Sequence, residues 1–103
     1  MKTHDAKRVE ITIETVMLRR LTEALKSAGV TGWTVLPVLG GSGRSGEWSR
    51  EGQVGRGTGL VQVVCLIHPD RLDPLLDAAF AVVEKHIAVV CVTDAKVLRA
   101  ERF

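Results

Sequence analysis

Apolar and polar residues alternate strictly from Val9 to Glu14. Val9, Ile11 and Ile13 are apolar, while Glu10, Thr12 and Glu14 are polar. A period of two predicts a strand with one buried face. The period then changes. Met17, Leu18, Leu21, Ala24, Leu25 and Ala28 recur at helical spacing, and Arg19, Arg20, Glu23 and Lys26 take the opposite face. Thr15 is placed to cap the start of this helix. Gly29 is placed to end it, because glycine enters the left-handed conformation of a helix terminus without a Cβ penalty.

Residues 32–39, GWTVLPVL, read as a second strand. Pro37 has no N–H to give to a ladder, which puts this strand on an edge or makes its end irregular. Residues 60–67, LVQVVCLI, form a third strand that is apolar on both faces except at Gln62. His68, Pro69 and Asp70 break it. A second helix starts at Asp70, or at Asp73 with Pro74 in the first helical position. Its buried stripe is Leu72, Leu75, Leu76, Ala79, Phe80 and Val83. Residues 87–92, IAVVCV, make a fourth strand that continues through Val97, Leu98 and Arg99. Residues 1–6 read as a flexible tail.

The order strand, helix, strand, strand, helix, strand predicts an α+β fold, the ferredoxin-like βαββαβ sandwich, as one domain over residues 1–103. Right-handed crossovers place the first and third strands at the centre of the sheet. The second and third strands then form a hairpin whose tip is the glycine-rich segment 40–59. With both helices on one face and an apolar third strand, the other face needs a cover. A homo-oligomer packed through its sheets is expected.

Composition narrows the function classes. Hydrophobic residues make up 46% of the chain, enough for a core without a metal or a disulfide framework. No apolar run approaches the ~20 residues of a membrane helix, and MKTHDAKRVE is no apolar leader. A soluble, cytoplasmic protein is expected. The formal net charge of +2 is too small to argue for nucleic acid. The arginines of the glycine-rich segment are offset by Glu47 and Glu51. Cys65 and Cys91 each lie in a Val/Ile-rich run and read as buried free thiols on strands that are not neighbours. No HxxxH, paired cysteines or carboxylate cluster suggests a metal site, and no nucleophile sits beside a base, so no catalytic residue is assigned.

The segment GGSGRSGEWSR, residues 40–50, carries the candidate chemistry. Gly40, Gly41, Ser42 and Gly43 open it, and glycines let successive N–H groups converge on a phosphate. Arg44 adds a planar donor fork. Trp48, between Arg44 and Arg50, either packs back on the sheet or serves with Arg50 as an anchor for a partner protein. Arg99 and Arg102 close the chain. They are either terminal surface charges or, if the strand ends irregularly, two further phosphate contacts. His86 is placed to cap the carbonyls ending the second helix.

Residues 31–38, TGWTVLPV, followed by the Gly-Ser-Gly-Arg-Ser-Gly run and by the ending VLRAERF, resemble the PII signalling superfamily. The resemblance spans about Arg8 to Phe103 and is nearest to the divergent PII-like proteins, including the carboxysome-associated ones. Three departures separate the chain from the nitrogen-regulatory type. There is no tyrosine, hence none for uridylylation. The glycine- and lysine-rich phosphate loop before the last strand is missing, because Glu84, Lys85 and His86 run directly into Ile87. The long loop is shorter and richer in glycine. These departures point away from 2-oxoglutarate sensing, uridylyl control and tight ATP binding.

The resemblance implies a homotrimer with sheets facing a central axis and an adenine nucleotide (AMP, ADP or ATP) as effector in each inter-subunit cleft. Thr34 matches the family's threonine at the adenine edge. Bicarbonate, alone or beside the nucleotide, is a variant ligand. The long loop would respond to the ligand and dock on a transporter or an enzyme. Two other readings share the fold: a metal-tolerance trimer, which needs clustered ligands, and a small ferredoxin-like enzyme, which needs a His, Tyr or Trp in an enclosed cavity.

Overall fold

A computed structural model describes residues 1–43, 46–49 as backbone, and 59–99. The chain runs through β1 (His4–Glu14), a 3-10 turn (Thr15–Met17), α1 (Leu18–Ser27), β2 (Thr34–Pro37), β3 (Gly40–Gly43), β4 (Gly46–Ser49), β5 (Leu60–Ile67), a second 3-10 turn (Pro69–Arg71), α2 (Leu72–Val83) and β6 (Ala88–Val97). Four strands make an antiparallel sheet in the order β2-β5-β1-β6. This is the ferredoxin-like α+β sandwich, with β1 and β5 central.

The period-two pattern explains the core. Val9, Ile11 and Ile13 of β1 and Val61, Val63, Cys65 and Ile67 of β5 are buried on one face. Leu21 and Leu25 of α1 and Leu75 and Ala79 of α2 cover them. Gly29 has a φ of 90° and closes the turn that follows α1, as a C-terminal glycine should. Pro37 ends β2, which is short and lies on the edge of the sheet. No described helix is long and apolar enough to cross a membrane.

Several expectations need correction. The first strand begins at His4, so the segment 1–6 is not all tail. His4, Asp5 and Ala6 pair with Val97, Lys96 and Ala95 of β6, and Ala6 is buried. Thr15 does not cap α1. The chain enters the helix through the 3-10 turn, where the Thr15 N–H donates to the Gly59 carbonyl at 3.0 Å and the Thr15 hydroxyl is buried without a partner. The segment 40–59 is not simply a loop, because Gly40–Gly43 pairs with Gly46–Ser49 in a two-stranded sheet of its own. Phe80 is 62% exposed rather than buried. It lies about 100° around the helix from Ala79 and so falls on the flank of the buried stripe. Cys91 is exposed on edge strand β6, while Cys65 is buried; both are free thiols.

Ile11 should therefore carry stability that Phe80 does not. Ile11→Ala is expected to destabilise the fold by about 2–5 kcal/mol in urea unfolding. Phe80→Ala should cost less than about 1 kcal/mol, since little of its surface is withdrawn from water. Equal losses would contradict this core.

Candidate functional site at two poles of the sheet

The register of the sheet decides which candidate residues can meet. β6 runs antiparallel to β1 from Ala88 opposite Ile13 to Val97 opposite His4. β2 ends at Pro37, opposite Val61, which is itself opposite Ile13. One pole of the sheet therefore holds the end of β2, the start of β5, the start of β6 and, beyond β2, the glycine strand β3. The other pole holds His4 and Val97. Arg99 follows Val97 by two residues, so it lies at the pole opposite Gly40. Ten strand residues at about 3.3 Å each separate the poles by roughly 30 Å.

The candidate residues consequently do not converge within one chain. Gly40, Gly41, Ser42 and Gly43 are exposed at the loop pole. Their backbone is extended and pairs with β4, so successive N–H groups point in alternate directions rather than into one concavity. Thr34 is exposed at the start of β2, opposite Val64. Val64 faces Glu10, and Glu10 faces Cys91. These four residues form one row on the face of the sheet away from the helices. Arg99 is exposed at the terminal pole. The backbone of Trp48 lies in β4, opposite Gly41. Arg44, Arg50 and Arg102 lie outside the described residues.

The face bearing Thr34 is mixed. Leu36, Leu66 and Val89 are exposed there, between polar residues of β1. Thr12 accepts a hydrogen bond from Gln62 Nε2 at 3.3 Å, and Arg8 pairs with Glu10. An apolar and charged surface of this kind suits contact with another copy better than full solvation.

A charged group missed in the sequence occupies the terminal pole. Asp5-Ala6-Lys7 and Asp94-Ala95-Lys96 are the same tripeptide, and they pair antiparallel. Lys7 therefore meets Asp94, and Lys96 meets Asp5, as two cross-strand ion pairs. The repeated DAK was the available signal. The Lys96 ammonium, hydrogen-bonded to Asp5, holds that carboxyl below the usual carboxylate range, and Lys7 adds to the effect. These residues and Pro69 line a cavity of about 430 Å³. Burial pushes the Cys65 thiol up to about 11, so it stays protonated and inert at neutral pH. Among the described residues, no three or more His, Cys, Asp or Glu gather as a metal site.

Residues 6–102 match the family model of the nitrogen regulatory protein P-II. The chain belongs to that family. The P-II fold is also seen in solved structures. The CPII protein of Thiomonas intermedia K12, a nitrogen regulatory PII-like protein bound to ADP, AMP and bicarbonate, is 28% identical, with a TM-score of 0.89 over 99% of this chain and 96% of that one. A second structure of CPII, bound to ADP and bicarbonate, is 30% identical with a TM-score of 0.84, over 99% and 97% of the two chains. A PII-like signalling protein of Thermus thermophilus shares the fold at 21% identity and a TM-score of 0.78, covering 100% of this chain and 99% of the other. No curated protein matches the chain in sequence. The chain is thus a divergent PII-like protein of a regulatory family.

The terminal ion pairs should be visible in the acid limb of stability. A carboxyl whose folded value lies below its unfolded one contributes stability above the unfolded value and loses it as pH falls. Urea unfolding from about pH 5 downward should show Asp5→Asn losing less stability on acidification than the wild type. The difference should be small and should shrink in high salt, since the pair is exposed. Identical acid limbs would count against the pair.

Proposed function

We propose that this PII-like protein is a cytoplasmic homotrimer that binds an adenine nucleotide, ADP or AMP, in clefts between its subunits. We propose further that bicarbonate accompanies the nucleotide, and that the 40–59 segment passes the bound state to a transporter or an enzyme. The observation that carries this reading is the likeness, over 99% of the chain, to a PII-like protein bound to ADP, AMP and bicarbonate.

The separation of the poles supports a site between chains. Gly40–Gly43 belong to one pole and Arg99 to the other, so a nucleotide touching both would lie between two copies. Thr34 is on the sheet face that another copy would cover, suited to an adenine edge. Arg44 in the loop and Arg99 and Arg102 at the chain end would meet phosphate oxygens through their guanidinium forks. The four residues Gly40 to Gly43 would supply backbone N–H groups if the strand opens around the ligand.

A loop that exchanges strand pairing for ligand contacts has two states. A partner that prefers one of them then reads the nucleotide. Trp48 and Arg50 are the proposed anchors for that partner, since aromatic and arginine side chains dominate interface energetics.

Titration calorimetry with AMP, ADP and ATP, with and without bicarbonate, tests the reading. ADP and AMP should bind the wild type. Arg44→Ala and Arg99→Ala should each weaken ADP by about tenfold or more, as expected for a lost charge-assisted contact. An absence of heat and of thermal shift with every adenine nucleotide would sink it.

A further inference from the structure

We propose that the helix layer is a second interface between copies of this chain, in which α2 of each copy lies against α1 of the other about a twofold axis. The layer is on the side of the sheet away from Thr34, so nothing in the proposal rests on the nucleotide reading. The occupant is identified by charge, because one chain carries both halves of a complementary surface.

The outer face of α1 is basic. Arg19, Arg20 and Lys26 are exposed there, and the one acid, Glu23, is paired with Arg19 at 3.1 Å. The outer face of α2 is acidic. Between Leu72 and Val83 the helix has Asp73 and Asp77 and no base, with Asp70 before it and Glu84 after it. At 100° per residue, Asp73, Asp77 and Glu84 fall within about 40° of one another, opposite the buried Leu75 and Ala79. Arg71 and Lys85 each follow one of the outer acids by one residue, and that step turns them off the crest. All four acids are exposed, and none joins an ion pair or a side-chain hydrogen bond among the described residues. Like charges one turn apart on a helix repel. The acidic crest is therefore unfavourable in the isolated chain and is relieved by an opposing basic surface.

The layout of the layer fixes how two copies can meet. α1 and α2 lie side by side over one sheet face and run antiparallel, since each returns along one of two antiparallel strands. A twofold axis between two such layers, running along the helices, sets each α2 over the other copy's α1, acid against base twice over. A twofold across the helices would stack α1 on α1 and α2 on α2, which like charge opposes. Phe80 adds an apolar anchor. Its exposed ring borders the acidic crest, where an arginine or lysine of the other copy's α1 can lie against it. Exposed charge pairs contribute little one by one, and two short helices bury less than the ~1,200 Å² of a standard interface. The contact is weak, reversible and salt-sensitive. Copies already joined through the opposite face would be gathered by it into larger assemblies.

Sedimentation velocity on the full chain, over a wide range of concentration, tests the interface. At low salt the mass of the wild type should rise with concentration. The association should weaken about tenfold between ~0.01 M and ~0.1 M salt, as the screening length falls from about 30 Å to about 10 Å. One double variant, Asp77→Lys with Glu84→Lys, reverses the acidic crest, and another, Arg20→Glu with Lys26→Glu, reverses the basic one. Each alone should keep the wild-type mass at low concentration and lose the rise. An equal mixture of the two should regain it, because a wholly basic layer then meets a wholly acidic one. Melting temperatures near wild type in both variants separate a lost contact from a lost fold. A wild-type mass that is constant at low salt, a rise indifferent to salt, or a mixture no heavier than its parents would overturn the proposal. A wild type that stays at its base mass yet binds a lysine-rich peptide would assign the acidic crest to another protein and equally overturn the pairing of copies.

Discussion

The pairing of β1 with β6 over ten residues, from His4 opposite Val97 to Ile13 opposite Ala88, is the constraint on which the other features depend. A slip of one residue would turn Val9, Ile11 and Ile13 out of the core and put polar and charged residues in their place. The core pattern excludes that slip from one end. The twin DAK tripeptides exclude it from the other, because only this register sets each lysine opposite an aspartate. Exposed pairs of this kind add little stability. Their value is in disfavouring a two-residue slip, in which Asp5 would meet Asp94 or Lys7 would meet Lys96.

Register then dictates where chemistry can happen. Since β6 pairs with β1 from Ile13 to His4, it carries Arg99 to the pole opposite the glycine hairpin. A single subunit cannot bring the two together. Under the proposed function, each subunit would therefore carry two half-sites, one at the glycine hairpin and one at Arg99. Cyclic assembly, in which one copy's first surface meets the next copy's second, would bring such halves together and leave no half-site unpaired. The mixed apolar and charged face around Thr34, Leu36, Leu66 and Val89 supplies a surface for that contact.

Much of this is legible from residue types. The alternation at residues 9–14, the helical spacing from Met17 to Leu25 and the limits of β5 at Leu60 and Ile67 all follow from hydrophobic periodicity. Pro37 marks the edge strand, and Gly29 marks the end of α1. The features that periodicity misses have weaker signals. The β3–β4 pairing is invisible to apolar patterning because glycine and serine bury no face. Residue type groups Phe80 with its neighbours, whereas its angle around α2 puts it in water. Cys91 sits in a Val-rich run that reads as core, but that run is the open edge of the sheet.

The central claim is that the nucleotide site is shared between chains, and subunit mixing tests it most directly. Chains bearing Arg44→Ala and chains bearing Arg99→Ala are unfolded, refolded together in equal amounts, and titrated with ADP beside each variant refolded alone. If one chain supplies the loop and the next supplies the terminal arginine, random cyclic assembly regenerates about a quarter of the intact sites. High-affinity ADP binding should therefore reappear in the mixture although neither parent shows it. A mixture that binds no better than its two parents would contradict a shared site.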